Sequence, residues 1–295
     1  MRKKLNIIEE LLFETNAMKV ANENSPFWYT SGMIGPYFIN THFLFGNEYE
    51  ANKVLSFIDD NILKDKISFV NEITKIIINF YNSNTIYKSV IDYFYNNLKR
   101  FESFNDSDYI SGGERRDWFF SLIIAELFNK KHIFISKNLE TFNIDGIIDS
   151  IKDKKVVHLA DLVTEASSYK RSWIPAIKNI GGKITFTAAI VDRNQGGKEF
   201  FLNERIDFYS LVTINDDFFV NASNSGIINS KQLDLIRDFA KDPISYGKNF
   251  IINNINFLKD SLNSTDKSIQ TKAKKLITEN PYNFEKEFFD RLSLT

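Results

Sequence analysis

Apolar residues recur at intervals of three and four over much of this chain, which is the spacing of helices that bury one face. The spacing predicts a helix over residues 3–22 and two or three helices over residues 49–104. It returns over residues 227–295, where we expect helices that cap a sheet or form a subunit interface. Residues 27–47 interrupt it with Ser31-Gly32 and Gly35-Pro36, which predict turns between short extended pieces.

The centre of the chain has a different pattern, because short apolar runs alternate there with helical stretches. Strands are predicted at residues 133–136, 156–160, 185–191 and 210–214, and helices at residues 118–128 and within 168–180. This alternation predicts an α/β fold with a mostly parallel, twisted sheet flanked by helices. We divide the chain into an amino-terminal helical region (1–105), an α/β core (106–226) and a carboxyl-terminal helical extension (227–295).

Composition narrows the function classes. The chain has 295 residues, 43% hydrophobic and 25% charged, so it is long and apolar enough to fold around a core. A formal net charge of −1 does not favour nucleic acid or an anionic membrane surface, so any phosphate site must be local. There are no cysteines and only three scattered histidines, which argues against a dedicated metal centre. With no signal sequence and no apolar run of about 18 residues, we expect a cytoplasmic protein.

The segment from Val156 to Ser168 carries the strongest chemical signal. An apolar strand ends at Asp161 and opens into a turn rich in hydroxyl groups, at the edge where parallel sheets bind ligands. Backbone N–H groups of such a turn bind phosphate, and Thr164, Ser167 and Ser168 add hydroxyl donors.

This segment resembles the signature of the type I phosphoribosyltransferases: two adjacent acids, two hydrophobic residues, Thr-Thr-Gly, and a serine that opens a helix. Asp161, Thr164 and Ser168 match it, whereas Ala160 replaces the first acid. Glu165 and Ala166 replace the second threonine and the glycine.

Three further segments, in the same order along the chain, resemble orotate phosphoribosyltransferases. Residues 27–39 are similar to the segment near the base-binding site, and 111–114 with 133–137 to the pyrophosphate-side loop and the strand before the catalytic loop. Residues 190–199 contain Val-Asp-Arg followed by Gly-Gly, which is similar to the family's base-binding run.

The resemblance implies transfer of a phosphoribosyl group from phosphoribosyl diphosphate to a nitrogen of orotate or a related base, with release of pyrophosphate. It implies Mg²⁺ bound mainly through the donor diphosphate, with no metal site formed by side chains, and it allows for a homodimer. The expected roles are as follows: Lys137 and Asp161 catalytic; Arg193, Tyr37, Phe38, Arg115 and Arg116 substrate-binding; Thr164, Glu165, Ala166, Ser167 and Ser168 phosphate-binding.

The substitutions leave an alternative, an inactive homologue that binds a nucleotide, a base or a protein partner as a sensor or scaffold. A Glu165 carboxylate about 5 Å from one phosphate charge costs on the order of 3 kcal/mol, more than a helix terminus returns. Ala160 removes one of the acids that hold the ribose hydroxyls in the family. Lys137 stands alone beside Glu140 where the family has a basic cluster, although Arg115 and Arg116 could compensate.

Structural interpretations of the same residues also stay open. Arg115 and Arg116 could pair with Glu114 and Asp117 on a solvated face, and Asp192-Arg193 could form an ion-paired turn. His158 fits a core histidine, and Ser167-Ser168 could simply cap a helix.

Overall fold

The computed structural model describes residues 5–293 of the chain. In chain order its strands are β1 (Met18–Val20), β2 (Phe27–Trp28), β3 (Ile34–Gly35), β4 (Tyr37–Ile39), β5 (Tyr109–Gly113), β6 (Lys131–Ile135), β7 (Thr141–Asn143), β8 (Gly146–Ile147), β9 (Lys155–Val163), β10 (Lys183–Asp192) and β11 (Asp207–Thr213).

The α-helices are α1 (Ile7–Glu14), α2 (Glu48–Asn61), α3 (Lys66–Ser83), α4 (Thr85–Leu98), α5 (Glu102–Asn105), α6 (Trp118–Leu127), α7 (Ile174–Asn179), α8 (Gly197–Asn203), α9 (Asp216–Asn224), α10 (Ser230–Lys241), α11 (Pro243–Asn253), α12 (Ile255–Leu262), α13 (Lys267–Glu279) and α14 (Lys286–Ser293). A 3₁₀-helix covers Thr41–Phe45, and a π-helix covers Tyr169–Trp173 directly before α7.

Seven strands form one sheet in the order β11-β10-β9-β5-β6-β7-β8. The first five are parallel, and β7 and β8 add an antiparallel edge. This confirms the predicted α/β fold class, a mostly parallel sheet flanked by helices. All four predicted strands are present, within a few residues of their predicted ends.

Alternating side chains along the strands bury both faces of this sheet. Phe134 in β6 packs on Trp118 of α6 and on Phe142, with ring centroids 5.1 and 5.3 Å apart. Its neighbours Ile133 and Ile135 point to the opposite face and join the core that contains Ile177 of α7. Two buried faces explain why the strands are continuously apolar.

The chain forms two compact units, which we call the sheet unit and the helical unit. The sheet unit comprises Leu5–Ala17 and Asn40–Phe218 and contains the seven-stranded sheet. The helical unit comprises Met18–Ile39 together with the chain from Phe219 onward. These units cross the boundaries of the three predicted regions, because helices α2 to α4 belong with the sheet while residues 18–39 belong with the carboxyl-terminal helices.

The helical unit has its own core, and short strands from the amino-terminal region enter it. Ile34 in β3 is fully buried, and its backbone N–H donates to the hydroxyl of Tyr282 at 2.8 Å. Trp28 in β2 donates its indole N–H to Ser261 at 3.0 Å and stacks on Phe257. These contacts explain why residues 27–39 are extended rather than helical.

The helix prediction over residues 3–22, of which 3 and 4 lie outside the described chain, is wrong in its extent. The helix predicted over 3–22 ends at Glu14, because Asn16 takes a left-handed conformation with φ +59° and the chain continues as β1. The apolar run over 250–262 forms two helices, α11 and α12, separated by a non-helical Asn254. Within the described residues of the chain, no helix is long and apolar enough to span a bilayer.

Candidate functional site

The sheet reverses its winding direction between β5 and β9, and a cavity lies there. After β5 the chain passes through α6 to β6 on one side, whereas after β9 it continues to β10 on the other. Diverging connections open a crevice at the carboxyl ends of the two strands. The cavity measures about 350 Å³ and is lined by residues 114–117, Lys137, 160–164, 166–169 and Trp173.

The turn after β9 has the shape that the replaced glycine would allow. Ala166 is buried and adopts φ +56°, a left-handed conformation that costs an L-residue roughly 1–2 kcal/mol. Its carbonyl accepts the N–H of Lys170 at 3.1 Å, which ties the turn to the π-helix. The backbone N–H groups of Glu165 and Ala166 donate to no other residue between 5 and 293, so they are available to a ligand.

Two glycines allow close packing around this turn. A Cβ on Gly197 would lie 2.7 Å from the carbonyl oxygen of Thr164, so only glycine lets the start of α8 approach the turn. A Cβ on Gly113 would lie 2.2 Å from the ring of Trp173, which lines the cavity. Both glycines therefore fix the walls of the cavity.

Glu165 does not line the cavity, and its side chain is exposed to solvent. Water screens its charge there, which removes most of the repulsion calculated for a carboxylate facing the phosphate. Its neighbours Thr164, Ala166, Ser167 and Ser168 do line the cavity. Ser168 forms no side-chain capping hydrogen bond, so the structure does not support a purely capping role for it.

Two of the three cations that line the cavity are paired with acids of the chain. Arg115 forms an ion pair with Asp59 of α2, and Lys137 Nζ lies 3.3 Å from Glu114 Oε1. Glu114 also accepts the backbone N–H of Lys137 at 2.9 Å, and the Glu114–Arg115 peptide bond is cis. The expected pairing of both arginines with Glu114 and Asp117 does not occur.

Arg116 differs from these two residues. Its side chain is exposed at the cavity, and within residues 5–293 it forms no hydrogen bond or ion pair. Arg116 also precedes α6, whose first backbone N–H groups favour an anion. It is therefore the guanidinium best placed to bind a phosphate in this cavity.

Two aspartates lie at the floor of the cavity. Asp161 is the acidic residue of β9, and Asp117 lies in the turn between β5 and α6. Burial, followed by the nearby charge of Asp117, raises the pKa of Asp161 from 3.8 to about 8, while Arg116 acts in the opposite direction. Burial and the charge of Asp117 therefore favour the protonated form of Asp161.

His158 lies behind these aspartates and is fully buried. Its Nδ1 is 3.0 Å from the hydroxyl of Ser111, and its Nε2 is 3.5 Å from Asp117 Oδ2. The imidazole stacks on Trp173 at 5.8 Å and contacts Tyr169 edge to face. His158 is thus a core histidine, as its apolar surroundings in the sequence indicated, but one that contacts a cavity carboxylate.

The residues expected to bind the base lie in two places. Arg193 follows β10 in the sheet unit. Its backbone N–H donates to the carbonyl oxygen of Val163 at 2.8 Å, and its buried side-chain Nε has no hydrogen-bond partner within the described chain. It does not line the cavity. Tyr37 and Phe38 form β4 of the helical unit; the Tyr37 carbonyl accepts the Tyr29 hydroxyl at 2.6 Å, and Phe38 packs edge to face on Phe27.

Three cavity residues were not predicted for the site. Asp117 was expected only as a partner for arginine, and no role was predicted for Tyr169 or Trp173. Asp117 directly precedes a run of buried residues, Trp118 to Ala125. A charged residue at the edge of such a run is a pattern that could have marked Asp117 as a site residue. No group of three or more metal-ligating side chains occurs within residues 5–293.

The sequence shows one partial similarity to a curated protein. Over 62 residues the chain is 37% identical to the orotate phosphoribosyltransferase of Synechocystis sp., a match that covers 21% of this chain and 31% of that protein. No protein-family model matches the chain.

Solved structures of low sequence identity share the fold. UMP synthase from Leishmania donovani superposes with a TM-score of 0.53 at 16% identity, covering 79% of this chain and 41% of the larger protein. Orotate phosphoribosyltransferase from Francisella tularensis gives a TM-score of 0.52 at 14% identity, covering 80% of this chain and 98% of that structure. The chain therefore has a type I phosphoribosyltransferase fold and resembles orotate phosphoribosyltransferases.

Proposed function

We propose that the cavity binds phosphoribosyl diphosphate and that the protein transfers its phosphoribosyl group to a nitrogen of orotate or a related base. The observation that carries this proposal is the turn 164–168, whose left-handed Ala166 and free N–H groups open onto the cavity beside Arg116. A strand, a phosphate-sized turn and a guanidinium at the switch point of a parallel sheet form a suitable sugar-phosphate site.

In this proposal the residues have separate tasks. The turn and the hydroxyl groups of Thr164 and Ser168 bind the 5′-phosphate, and Arg116 contacts the diphosphate. The bond between the anomeric carbon and the diphosphate oxygen breaks, and pyrophosphate leaves with the electron pair. The base nitrogen forms the new bond and loses its proton. Mg²⁺ enters as part of the substrate, chelated by the diphosphate, and reduces its charge.

A second candidate, ligand binding without turnover, is favoured by the paired cations. Lys137 is held by Glu114 and Arg115 by Asp59, so Arg116 is the one unpaired cation of the described cavity lining. A leaving pyrophosphate needs stabilisation of its developing charge, and one guanidinium supplies little of it. A monophosphate needs less.

The two candidates are separated by an assay of pyrophosphate release. Native protein is incubated with phosphoribosyl diphosphate and Mg²⁺, with and without orotate, uracil or adenine. We expect base-dependent release that falls about tenfold or more in Arg116→Ala and is unchanged in Arg100→Ala. Arg100 is exposed outside the cavity lining, and its guanidinium bonds to the side chain of Asn97. Binding of the donor without release with any base would support the second candidate.

A further inference from the structure

Two carboxyl groups from distant regions of the chain meet in the cavity. Asp117 Oδ1 accepts the backbone N–H of Asp161 at 2.9 Å, and Asp117 Oδ2 accepts the N–H of Gly113 at 2.9 Å. These bonds attach the Asp117 carboxyl to the ends of both β5 and β9. Asp117 and Asp161 are 7% and 8% exposed, and both line the cavity. The Asp117 carboxyl is therefore held in place by backbone N–H groups of both strands.

Arg116 is the nearby cation that acts on Asp161, but it does not form an ion pair with either carboxyl in the described chain. Within the described residues, neither Asp117 nor Asp161 forms an ion pair with lysine or arginine, and Asp117 has only His158 Nε2 at 3.5 Å. That nitrogen is itself buried without a hydrogen-bond partner in the described chain. Buried carboxyl groups cost free energy unless a proton or a ligand compensates them, and such groups in a cleft mark a binding site.

Position 160 of β9 carries alanine, which lines the same cavity and is 2% exposed. We propose that Asp117 supplies the carboxylate that position 160 lacks, so that Asp117 and Asp161 together bind two neighbouring hydroxyl groups of the ligand's sugar. This inference rests on the proposed function, since it takes the sugar phosphate of that proposal as the ligand. It assigns a specificity-determining role to a residue outside the phosphoribosyltransferase signature.

The chemistry of the pair matches a diol. Each sugar hydroxyl donates one hydrogen bond and accepts others, so two hydroxyls need both donors and acceptors. Asp161, whose pKa is raised by burial and by Asp117, offers a donor and acceptors, while Asp117 offers acceptors. A protonated Asp161 leaves one negative charge fewer beside the phosphate, which lowers the repulsion that two ionised carboxylates would exert.

The test compares three probes by calorimetry: inorganic phosphate, 2-deoxyribose 5-phosphate and ribose 5-phosphate. The affinity for inorganic phosphate measures the contribution of the turn and Arg116 alone. The two sugar phosphates differ by a single hydroxyl group. The native protein is expected to bind ribose 5-phosphate about tenfold more tightly than the deoxy sugar.

Asp117→Asn keeps the side-chain shape and replaces an acceptor oxygen by a donor, and Asp161→Ala removes the donor and the acceptors of that carboxyl. Each is expected to reduce the ratio between the two sugars to about one while leaving phosphate affinity within about twofold. Asp145→Asn is the matched control, because that carboxyl is 64% exposed and pairs with Lys131. Thermal unfolding of each variant shows whether it is folded, and Asp161→Ala tests the pair if Asp117→Asn does not fold.

The outcomes separate the inference from the proposed function. The role of the pair would be overturned if the native protein bound both sugar phosphates with equal affinity, or if a folded variant kept the native ratio of the two affinities. Phosphate binding in the same experiment would still support the site. Failure of the native protein to bind any of the three probes would overturn the proposed function and this inference with it.

Discussion

The cavity has two rims, and they differ in how much the phosphoribosyltransferase signature has changed at each. The loop rim, residues 164–168, keeps a left-handed turn at Ala166 and places Glu165 in solvent. The cation rim consists of Glu114, Arg115, Arg116 and Lys137, where two of three cations are paired with acids of the chain. The loop rim therefore has the turn that the signature predicts, whereas most of the positive charge of the cation rim is paired with acids of the chain.

Backbone geometry and charge respond differently to substitution. An alanine can adopt a glycine conformation at a cost of roughly 1–2 kcal/mol, which packing can offset. At the cation rim, Glu114 pairs with Lys137 and Asp59 pairs with Arg115, which leaves Arg116 as the unpaired cation of the described lining. We therefore expect the site to bind one phosphate group well and a diphosphate less well.

Removing the unpaired cation should have the greatest consequence. Arg116→Ala removes a charge-assisted contact and is expected to weaken phosphate binding about 10-fold to 100-fold, measured by calorimetry. Arg100→Ala, an exposed arginine outside the cavity lining, is the control and should change binding less than about twofold. Equal losses in the two variants would show that Arg116 has no special role.

The buried carboxyl pair predicts a pH-dependent stability. Asp161 has a folded pKa of about 8 against 3.8, so the folded chain retains a proton that the unfolded chain releases between these values. Stability should therefore fall as pH rises through this window. Asp117 and Arg116 are the charged groups that face it.

This pH effect is measured as the melting temperature of native protein minus that of Asp161→Asn, at pH 5 and at pH 8. The difference should become more negative at pH 8, by several degrees. Asp145→Asn controls for the substitution itself. A difference that is the same at both pH values would contradict a raised pKa of Asp161.

Freeing the paired cations should strengthen diphosphate binding. Glu114→Gln releases Lys137, and Asp59→Asn releases Arg115. Each should raise affinity for pyrophosphate by about twofold to fivefold and leave that for inorganic phosphate nearly unchanged, since partly exposed charges contribute about 0.5–1 kcal/mol. Glu140→Gln, whose carboxylate pairs with Lys66, is the control. No gain in either variant would mean that the ion pairs do not limit the site.

Restoring the signature glycine should change binding least. Because Ala166 already has φ +56°, Ala166→Gly is expected to alter phosphate affinity by less than about twofold and stability by at most about 1 kcal/mol. Calorimetry and thermal unfolding measure the two quantities. A gain of tenfold or more in affinity would show that alanine distorts the turn.

Much of the fold was predictable from the sequence because buried parallel strands produce apolar runs that local periodicity detects. Residues 156–160 and 185–191 are such runs, and both lie in the sheet. The strand at Tyr109–Gly113 was missed, since its Ser-Gly-Gly end is typical of a loop and is tolerated only because Ser121 and Trp173 pack on the glycines.

The site was predictable as far as it depends on one continuous segment. The turn 164–168 lies at the carboxyl end of β9, as its pattern indicated, and eight of the residues predicted for the site line one cavity: Lys137, Asp161, Arg115, Arg116, Thr164, Ala166, Ser167 and Ser168. Asp117 beside Asp161 and Asp59 beside Arg115 are pairs distant in sequence, which no local pattern specifies.

The most direct measurement is a calorimetric titration of the native chain with ribose 5-phosphate, alongside a Thr164→Val, Ser168→Ala double variant. Sugar-phosphate binding at the turn after β9 predicts saturable binding to the native protein and a loss of about tenfold or more in the variant, because two hydroxyl donors are removed. Absence of binding to the native protein, or the same affinity in both proteins, would contradict it.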